Sequence, residues 1–230
     1  MKSNLSSAQD LIKKSLHLFF KKKNLVYFVK LMLIILALTF GTGIIGFLIA
    51  GGLGALKSDF VNNPIWAVLF LILMVVFVVI GIWTQTVIYE SIKTVVGGGP
   101  LNIRKTLKVG WRKTGKFFLV GLLNMLIVFL GLILFIVPGI IFAVWFSFSR
   151  FVLIKEGLGV KASLKRSKEL VRGRFWPVLG RYLVFFIVLI LAQIALSQIP
   201  YIGTIASMLL APLFILPSYL LYQELSRPGE

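Results

Sequence analysis

The side chains that could carry acid–base or metal chemistry are few in this chain, which has seven Asp and Glu residues, one His and no Cys. Without Cys there are no disulfides, thiolate nucleophiles or Cys-ligated metals. No catalytic Ser/His/Asp set, paired carboxylates or nucleotide fingerprint appears. We therefore expect a non-enzymatic protein without a cofactor or a metal. The alternative is a lipid-modifying enzyme, for which Glu90 and Glu156 are the only plausible acids near the hydrophobic segments.

Three uncharged polar residues interrupt the hydrophobic segments at a similar depth. Gln85, Asn124 and Ser147 each lie about 12 Å inward from a basic residue, at 1.5 Å per helical residue. They are expected either to form hydrogen bonds between helices or to line the floor of a polar cavity that opens to the cytoplasm. Glu90 is predicted to pair with Lys93, three residues along, or with an arginine of another helix. The ion-pair candidates are Glu90, Arg150, Glu156 and Arg181.

Long hydrophobic runs position these residues. The chain has 230 residues, of which 59% are hydrophobic, and its mean hydropathy is +0.99. A soluble domain of this length keeps a surface that must face water, so this composition predicts a membrane protein. About 20 apolar residues cross a bilayer. Five runs reach that length and one, 140–154, is short; the runs are 25–50, 65–96, 117–137, 140–154, 175–199 and 201–221.

Almost all basic residues lie in or near alternate connectors between these runs. Of the 25 Lys and Arg residues, all but Lys57 lie in or near the connectors 1–23, 97–116 and 155–174 or at the neighbouring ends of the hydrophobic runs and the chain. Positive charge near short loops is retained on the cytoplasmic face. The sequence therefore predicts an all-α protein of the cell membrane with six transmembrane helices in three hairpins and both termini in the cytoplasm.

The three basic connectors also have the spacing of amphipathic helices, the first with a possible N-cap at Ser7 paired with Asp10. Helices with Lys and Arg on the polar face lie in the membrane interface. Each hairpin is thus expected to follow an interfacial helix. Anionic head groups attract each such side chain by about 1 kcal/mol. The candidate lipid-binding residues, on the second and third of these helices, are Arg104, Lys108, Arg112, Lys161, Lys165, Lys168 and Arg172.

An internal repeat is predicted within a single domain, 1–230. The pairs Ser15-Leu16, Thr106-Leu107 and Ser163-Leu164 are each followed by a basic and aromatic stretch and then by a hydrophobic run. The repeated unit is an interfacial helix followed by a hairpin. Its three copies are expected at 5–96, 100–155 and 160–225. Small residues at every fourth position of the first run also predict close helix packing or contact between copies; they are Thr42, Gly46, Ala50 and Gly54.

One stretch, 138–178, resembles a known family. It contains a Pro-Gly pair, an aromatic run with an Arg, an acid-Gly pair, a Leu-x-x-Ser helix and a basic-Gly exit before an aromatic residue. The matching residues are Pro138, Gly139, Arg150, Glu156, Gly157, Leu164, Ser167, Gly173 and Trp176, and Ser163 stands where the family has Ala. This stretch resembles bacterial six-span proteins similar to the membrane domain fused to some glycerophosphodiester phosphodiesterases, whose stand-alone members mostly lack an assigned function.

The resemblance implies a six-span plan and little about mechanism. In the fused enzymes the phosphodiesterase chemistry belongs to a separate soluble barrel with metal-binding acids, which this chain lacks, so we expect no such activity. From its position, Glu156 is expected to cap the third basic helix or to bind Arg150.

Besides the lipid-modifying enzyme, two functions are open. The first is a non-enzymatic scaffold or accessory, regulatory subunit that contacts anionic lipids at the cytoplasmic leaflet, with a second copy or another membrane protein as a possible partner. The second is a transporter or channel-like protein for a small or lipidic solute, with a central cavity lined by Gln85, Asn124 and Ser147. The chain has a net charge of +18. Nucleic acid is nevertheless not expected as its partner, because the basic residues adjoin hydrophobic segments.

Overall fold

The computed structural model describes the backbone of residues 5–54, 64–199 and 202–227, and within these ranges the regular structure is helical, without strands. The side chains of 47–54 and 64–67 lie outside the description, and with them part of the predicted small-residue stripe. The helices are α1 (Ala8–Phe20), α2 (Lys22–Gly54), α3 (Pro64–Val96), α4 (Ile103–Leu134), α5 (Ile136–Trp145), α6 (Ser149–Glu156), α7 (Val160–Val171), α8 (Phe175–Ser197) and α9 (Ile202–Ser226).

Six stretches of these helices are long and apolar enough to cross a membrane, and one of them combines α5 with α6. The prediction of an all-α chain with six membrane-length segments is therefore confirmed in this coarse form, which is consistent with a multi-pass membrane protein. Among the described residues, the six segments are Lys22–Gly46, Val68–Val96, Ile103–Leu134, Ile136–Glu156, Phe175–Ser197 and Ile202–Ser226.

The first and third basic connectors form separate helices, α1 and α7, whose apolar faces pack against the chain itself. Leu11 and Phe19 of α1 and Val171 of α7 are almost fully buried. Helix α1 begins with the predicted cap, in which the Ser7 hydroxyl accepts a hydrogen bond from the Asp10 amide at 3.1 Å. The same hydroxyl donates to the Asp10 carboxylate and so lowers the pKa of that group. The apolar stripes of α1 and α7 thus contribute to the internal packing of the bundle.

The second basic connector differs from the other two because it is not a separate helix. It forms the first part of α4, which continues without a break into the third hydrophobic run. Gly173 ends the corresponding helix α7 with a left-handed backbone, at φ 79°, a conformation that favours glycine. Gly115, at the equivalent place before the third run, remains inside α4. The three predicted repeat units therefore differ in how their basic helix joins the following segment.

The buried core lies at the end of the bundle where the basic connectors gather. It includes Phe28 of α2, Ile92 of α3, Phe151 of α6 and Tyr222 of α9. In contrast, every described apolar residue from 68 to 79 on the opposite half of α3 is exposed or nearly so. An apolar surface of this size on a single chain suits contact with lipid or with another protein.

Helices α4 and α5 approach each other closely, with only Phe135 between them. A Cβ on Gly139 would contact the Leu132 side chain and lie 3.0 Å from the Leu132 amide nitrogen. A Cβ on Gly131 would lie 3.0 Å from the Gly139 Cα. Pro138 and Gly139, which separate two hydrophobic runs in the sequence, both lie in the first turns of α5. Pro is tolerated there because the first amides of a helix have no intrahelical acceptor.

This contact predicts that Gly139→Ala destabilises the protein. The added methyl group overlaps Leu132, and overpacking of this kind costs about 1–3 kcal/mol. Gly180→Ala in α8 is the matched control, because a Cβ there meets nothing within 4 Å and alanine favours a helix. Thermal unfolding in detergent should show a lower midpoint for Gly139→Ala than for Gly180→Ala. Equal midpoints would mean that the α4–α5 contact is looser than described.

Candidate functional site

The fourth membrane-length segment is broken in its middle. Helix α5 ends at Trp145 and α6 begins at Ser149, with Phe146 and Ser147 in a turn between them. Phe148, the residue before α6, is completely buried. Backbone amides and carbonyls in an apolar environment need hydrogen-bond partners, because each unsatisfied group costs several kcal/mol. The hydrogen-bond partners of this break therefore define a polar site within the bundle.

Ser167 of α7 bridges the two sides of the break. Its hydroxyl donates to the Trp145 carbonyl at 2.7 Å and accepts from the Phe148 amide at 3.1 Å. Ser167 is itself completely buried. One side chain thus satisfies the last residue of α5 and the residue that precedes α6, and it fixes α7 across both.

The Phe146 carbonyl at the break accepts two further hydrogen bonds. Ser149 donates its hydroxyl at 2.8 Å, and the Asn124 amide nitrogen of α4 approaches at 3.4 Å. The Asn124 Oδ1 atom is buried and has no hydrogen-bond partner among the described residues. The break is therefore held from α4 as well as from α7.

The predicted layer of Gln85, Asn124 and Ser147 is only partly assembled at this site. Asn124 reaches the break, and Ser147 lies within it and donates to the Val144 carbonyl at 2.9 Å. Gln85 is exposed on α3, and within the described ranges no hydrogen bond joins it to the other two. Two of the three predicted residues thus lie at the helix break: Asn124 approaches a backbone carbonyl of the turn, and Ser147 is part of the turn.

Glu90 is a buried acid whose two lysine partners are partly exposed. Its carboxylate is 3.1 Å from Lys93 Nζ, one of its predicted partners, and 2.8 Å from Lys113 Nζ of α4. Lys113 also donates to the Ile154 carbonyl of α6 at 3.1 Å. Glu90 itself is 7% exposed. Through Lys113, this acid connects α3 to α4 and α6.

Glu156, the last residue of α6, joins this helix to two others. It accepts a hydrogen bond from the Tyr222 hydroxyl of α9 at 2.7 Å and lies 3.6 Å from Arg166 Nε of α7. The two roles expected for Glu156 are therefore wrong. The N-cap of α7 is Gly159, without a side-chain cap, and Arg150 forms no salt bridge with Glu156 among the described residues.

Arg150 and Arg181, the two basic ion-pair candidates, contact groups other than carboxylates. The Arg150 guanidinium lies over the Phe117 ring, 5.2 Å from its centroid. Arg181 donates to the carbonyls of Leu5 and Ser6, both at 2.8 Å. Within the described ranges neither arginine forms a salt bridge, so the prediction for Glu90 is confirmed for Lys93 and not for its alternative, an arginine of another helix.

The segment before α1 is also anchored to α9. The Glu224 carboxylate accepts from the amide of Ser6 at 3.1 Å and from its hydroxyl at 2.6 Å. Together with Arg181 of α8, Glu224 therefore fixes the backbone at Ser6 from two helices.

The seven predicted lipid-binding residues share one property, which is that all of them are exposed. Six of them lie on the outer surfaces of the first part of α4 and of α7, whose opposite faces are buried, and Arg172 directly follows α7. Lys168 also places its Nζ atom 4.3 Å from the centroid of the Trp145 ring. The exposed residues are Arg104, Lys108, Arg112, Lys161, Lys165, Lys168 and Arg172.

Lys113 was missed as a site residue, although the sequence contains a signal for it. The buried positions of α4 are Thr106, Gly110, Phe117 and Val120. Lys113 continues the same spacing of three and four residues, so it lies on the buried stripe rather than on the basic face. A lysine at such a position requires a carboxylate partner, which is Glu90.

The motif residues that carry the family resemblance have identifiable structural roles. Ser167 bridges the helix break, and Glu156 joins α6, α7 and α9. Gly157 ends α6 with a left-handed backbone at φ 71°, and Gly173 ends α7 in the same way. The left-handed conformation accounts for the presence of glycine at positions 157 and 173, and the hydrogen bonds account for the polar side chains of Ser167 and Glu156.

Comparison with known proteins gives one family match. A family model described as a domain of unknown function (DUF7847) matches residues 106–226, which is more than half of the chain. The matched region begins in α4 and ends with α9, so it contains the helix break and Ser167. No curated protein and no solved structure matches the chain significantly.

The bridge at Ser167 leads to a stability prediction. Ser167→Ala leaves the buried Phe148 amide without its acceptor, and an unsatisfied buried group costs about 1–3 kcal/mol. Ser163→Ala is the matched control, because Ser163 is equally buried in α7 but forms only a long hydrogen bond, 3.4 Å, to the Leu158 carbonyl. Thermal unfolding in detergent should show the larger loss for Ser167→Ala, and the reverse order would contradict the bridging role.

Proposed function

We propose that this chain, which belongs to the family described as a domain of unknown function (DUF7847), is a non-enzymatic protein of the cell membrane that binds anionic lipids at the cytoplasmic leaflet. In this role it is a scaffold or an accessory, regulatory subunit for another membrane protein or a second copy. The proposal includes three transmembrane hairpins with both chain termini in the cytoplasm.

The observation that carries the proposal is the exposed basic surface formed by α4 and α7. Its seven Lys and Arg residues form no salt bridge among the described residues, although other basic residues do, as Lys113 does with Glu90. A cation without a carboxylate partner keeps its charge available for phosphate groups. Seven attractions of about 1 kcal/mol each are sufficient for retention of anionic lipid.

The exposed aromatic and apolar residues support the placement of this surface beside a bilayer. Trp111 of α4 is 59% exposed and Trp176 of α8 is 76% exposed. Trp residues are enriched at membrane–water interfaces. Both lie within a few residues of the basic surface in the sequence, and exposed apolar residues follow them in α4 and α8. This order is the one expected from the cytoplasm into the hydrocarbon core.

The proposal retains the six-span resemblance but not the phosphodiesterase chemistry. The polar residues that the structure gathers, Ser167 and Glu156 above all, are engaged with backbone or with other side chains of the bundle. These contacts support a structural role for both residues. A scaffold that presents charge needs this kind of rigid interior and no reactive group.

A transporter or channel-like protein for a small or lipidic solute is the alternative, and the broken helix α5–α6 is the observation that favours it. Discontinuous helices form substrate sites in many transporters. Here, however, the break is closed by Ser167 and Asn124, and Gln85 lies exposed elsewhere. We therefore prefer the lipid-binding scaffold.

The lipid-binding proposal is tested by native mass spectrometry of the purified full chain with retained lipids. Replacing all seven exposed basic residues by Gln should lower the retention of anionic lipid at least about tenfold, which corresponds to 1.4 kcal/mol, and leave zwitterionic lipid unchanged. A charge-retaining variant, with Arg at 108, 161, 165 and 168, is the control and should behave as the wild type. Equal retention of anionic lipid by the Gln variant would refute the proposal.

A further inference from the structure

A polar pocket with an unusual concentration of arginine lies where α7 and α9 end. Its volume is about 440 Å³, within the range of small-molecule sites, and its walls come from the ends of α7 and α9 and from the turn before α8. Four arginines and one carboxylate line it. The lining residues are Arg166, Glu169, Leu170, Arg172, Arg174, Leu225, Ser226 and Arg227.

The charge of this pocket is strongly positive. Arg166 is shared between two acids, at 3.6 Å from Glu156 and 3.7 Å from Glu169. Arg172 and Arg174 form no salt bridge within the described part of the chain. Lys155 lies beside the pocket and donates to Ser226 Oγ at 3.3 Å, which adds a further cation to the pocket edge. The pocket therefore favours an anion that carries more than one negative charge.

The pocket is also held in place by ordered backbone. Arg172, Gly173 and Arg174 connect α7 to α8, and the left-handed conformation of Gly173 places the two arginines on either side of one tight turn. The Arg174 amide donates to the Val171 carbonyl at 2.9 Å. Leu170 and Leu225 are buried beneath the charged groups. The backbone that carries Arg172 and Arg174 is therefore preformed, and a preformed site loses less entropy when it binds a ligand.

We propose that this pocket binds a phosphate monoester group. Guanidinium groups pair with phosphate through two parallel hydrogen bonds, and a phosphate monoester carries a charge of about −1.5 to −2 at neutral pH with three acceptor oxygens. Several arginines that line one pocket match a phosphate monoester better than they match a carboxylate ligand, which carries a single negative charge. The phosphate belongs either to a lipid head group or to a soluble compound.

The inference deepens the proposed function, on which its lipid form rests. The seven exposed residues provide a general attraction for anionic lipid, whereas the pocket selects a particular head group. Arg174 and Arg227 line the pocket without belonging to the seven residues, so the two claims are separable by mutation.

The test titrates the full chain in detergent with two probes by isothermal titration calorimetry. One probe is a short-chain phosphatidic acid and the other is inorganic phosphate. The pocket variant is Arg174→Gln with Arg227→Gln. The matched control is Lys161→Gln with Lys165→Gln, which removes the same charge from exposed positions of α7 that do not line the pocket.

We expect the pocket variant to weaken binding of the phosphate monoester at least tenfold, while the control changes it less than about threefold. Binding of phosphatidic acid alone assigns the site to a lipid, and binding of inorganic phosphate as well assigns it to phosphate from either source. Equal losses in the two variants, or no binding of either probe by the wild type, would overturn the inference. Equal losses would leave the general lipid attraction standing.

Circular dichroism melting checks that the variants fold. If the pocket variant does not fold, Arg174→Lys with Arg227→Lys replaces it. That variant keeps the charge and loses the two-fold hydrogen bonding, so it should still bind the probe more weakly than the wild type. Unchanged binding by the Lys variant would also overturn the inference.

Discussion

The interaction on which the rest of this structure depends is the closure of a broken helix by one serine. A helix that stops and restarts among buried aromatic residues leaves amides and carbonyls that nothing apolar can satisfy. Ser167 satisfies one group on each side of the break, at Trp145 and at Phe148. Because Ser167 is carried by α7, the same two hydrogen bonds dock that helix against α5 and α6. Its opposite, basic face is thereby directed outward.

The ion pairs and hydrogen bonds around this closure extend the same ordering across the bundle. Glu156 joins α6 to α7 and α9, and Glu90 with Lys113 joins α3 to α4 and α6. Of these two acids, only Glu90 is buried, and loss of its lysine partners would leave a buried charge uncompensated. These acids are thus engaged internally, and the cations of the outer surface keep their charge for other partners. A rigid core beneath an exposed basic surface is the arrangement that a lipid-binding scaffold requires.

The sequence predicted the coarse fold well because the hydropathy and length of a segment depend only on the residues within it. The six apolar segments and the cap at Ser7 follow from patterns within one segment. It predicted the contacts of Glu156, Arg150 and Gln85 poorly, because these depend on which helices meet. The continuity of α4 was missed for a local reason: Gly115 and Gly173 look alike in sequence, and only Gly173 adopts the left-handed conformation. A repeat in sequence therefore did not ensure a repeat in conformation.

The central claim is that the basic faces of α4 and α7 lie on the cytoplasmic side of a bilayer, and single-cysteine labelling tests it most directly. The chain contains no Cys, so Lys108→Cys, Lys168→Cys and Lys57→Cys each supply one thiol. A membrane-impermeant maleimide applied to intact cells should label position 57 and leave positions 108 and 168 unlabelled until the membrane is permeabilised. Labelling of 108 or 168 in intact cells would contradict the account.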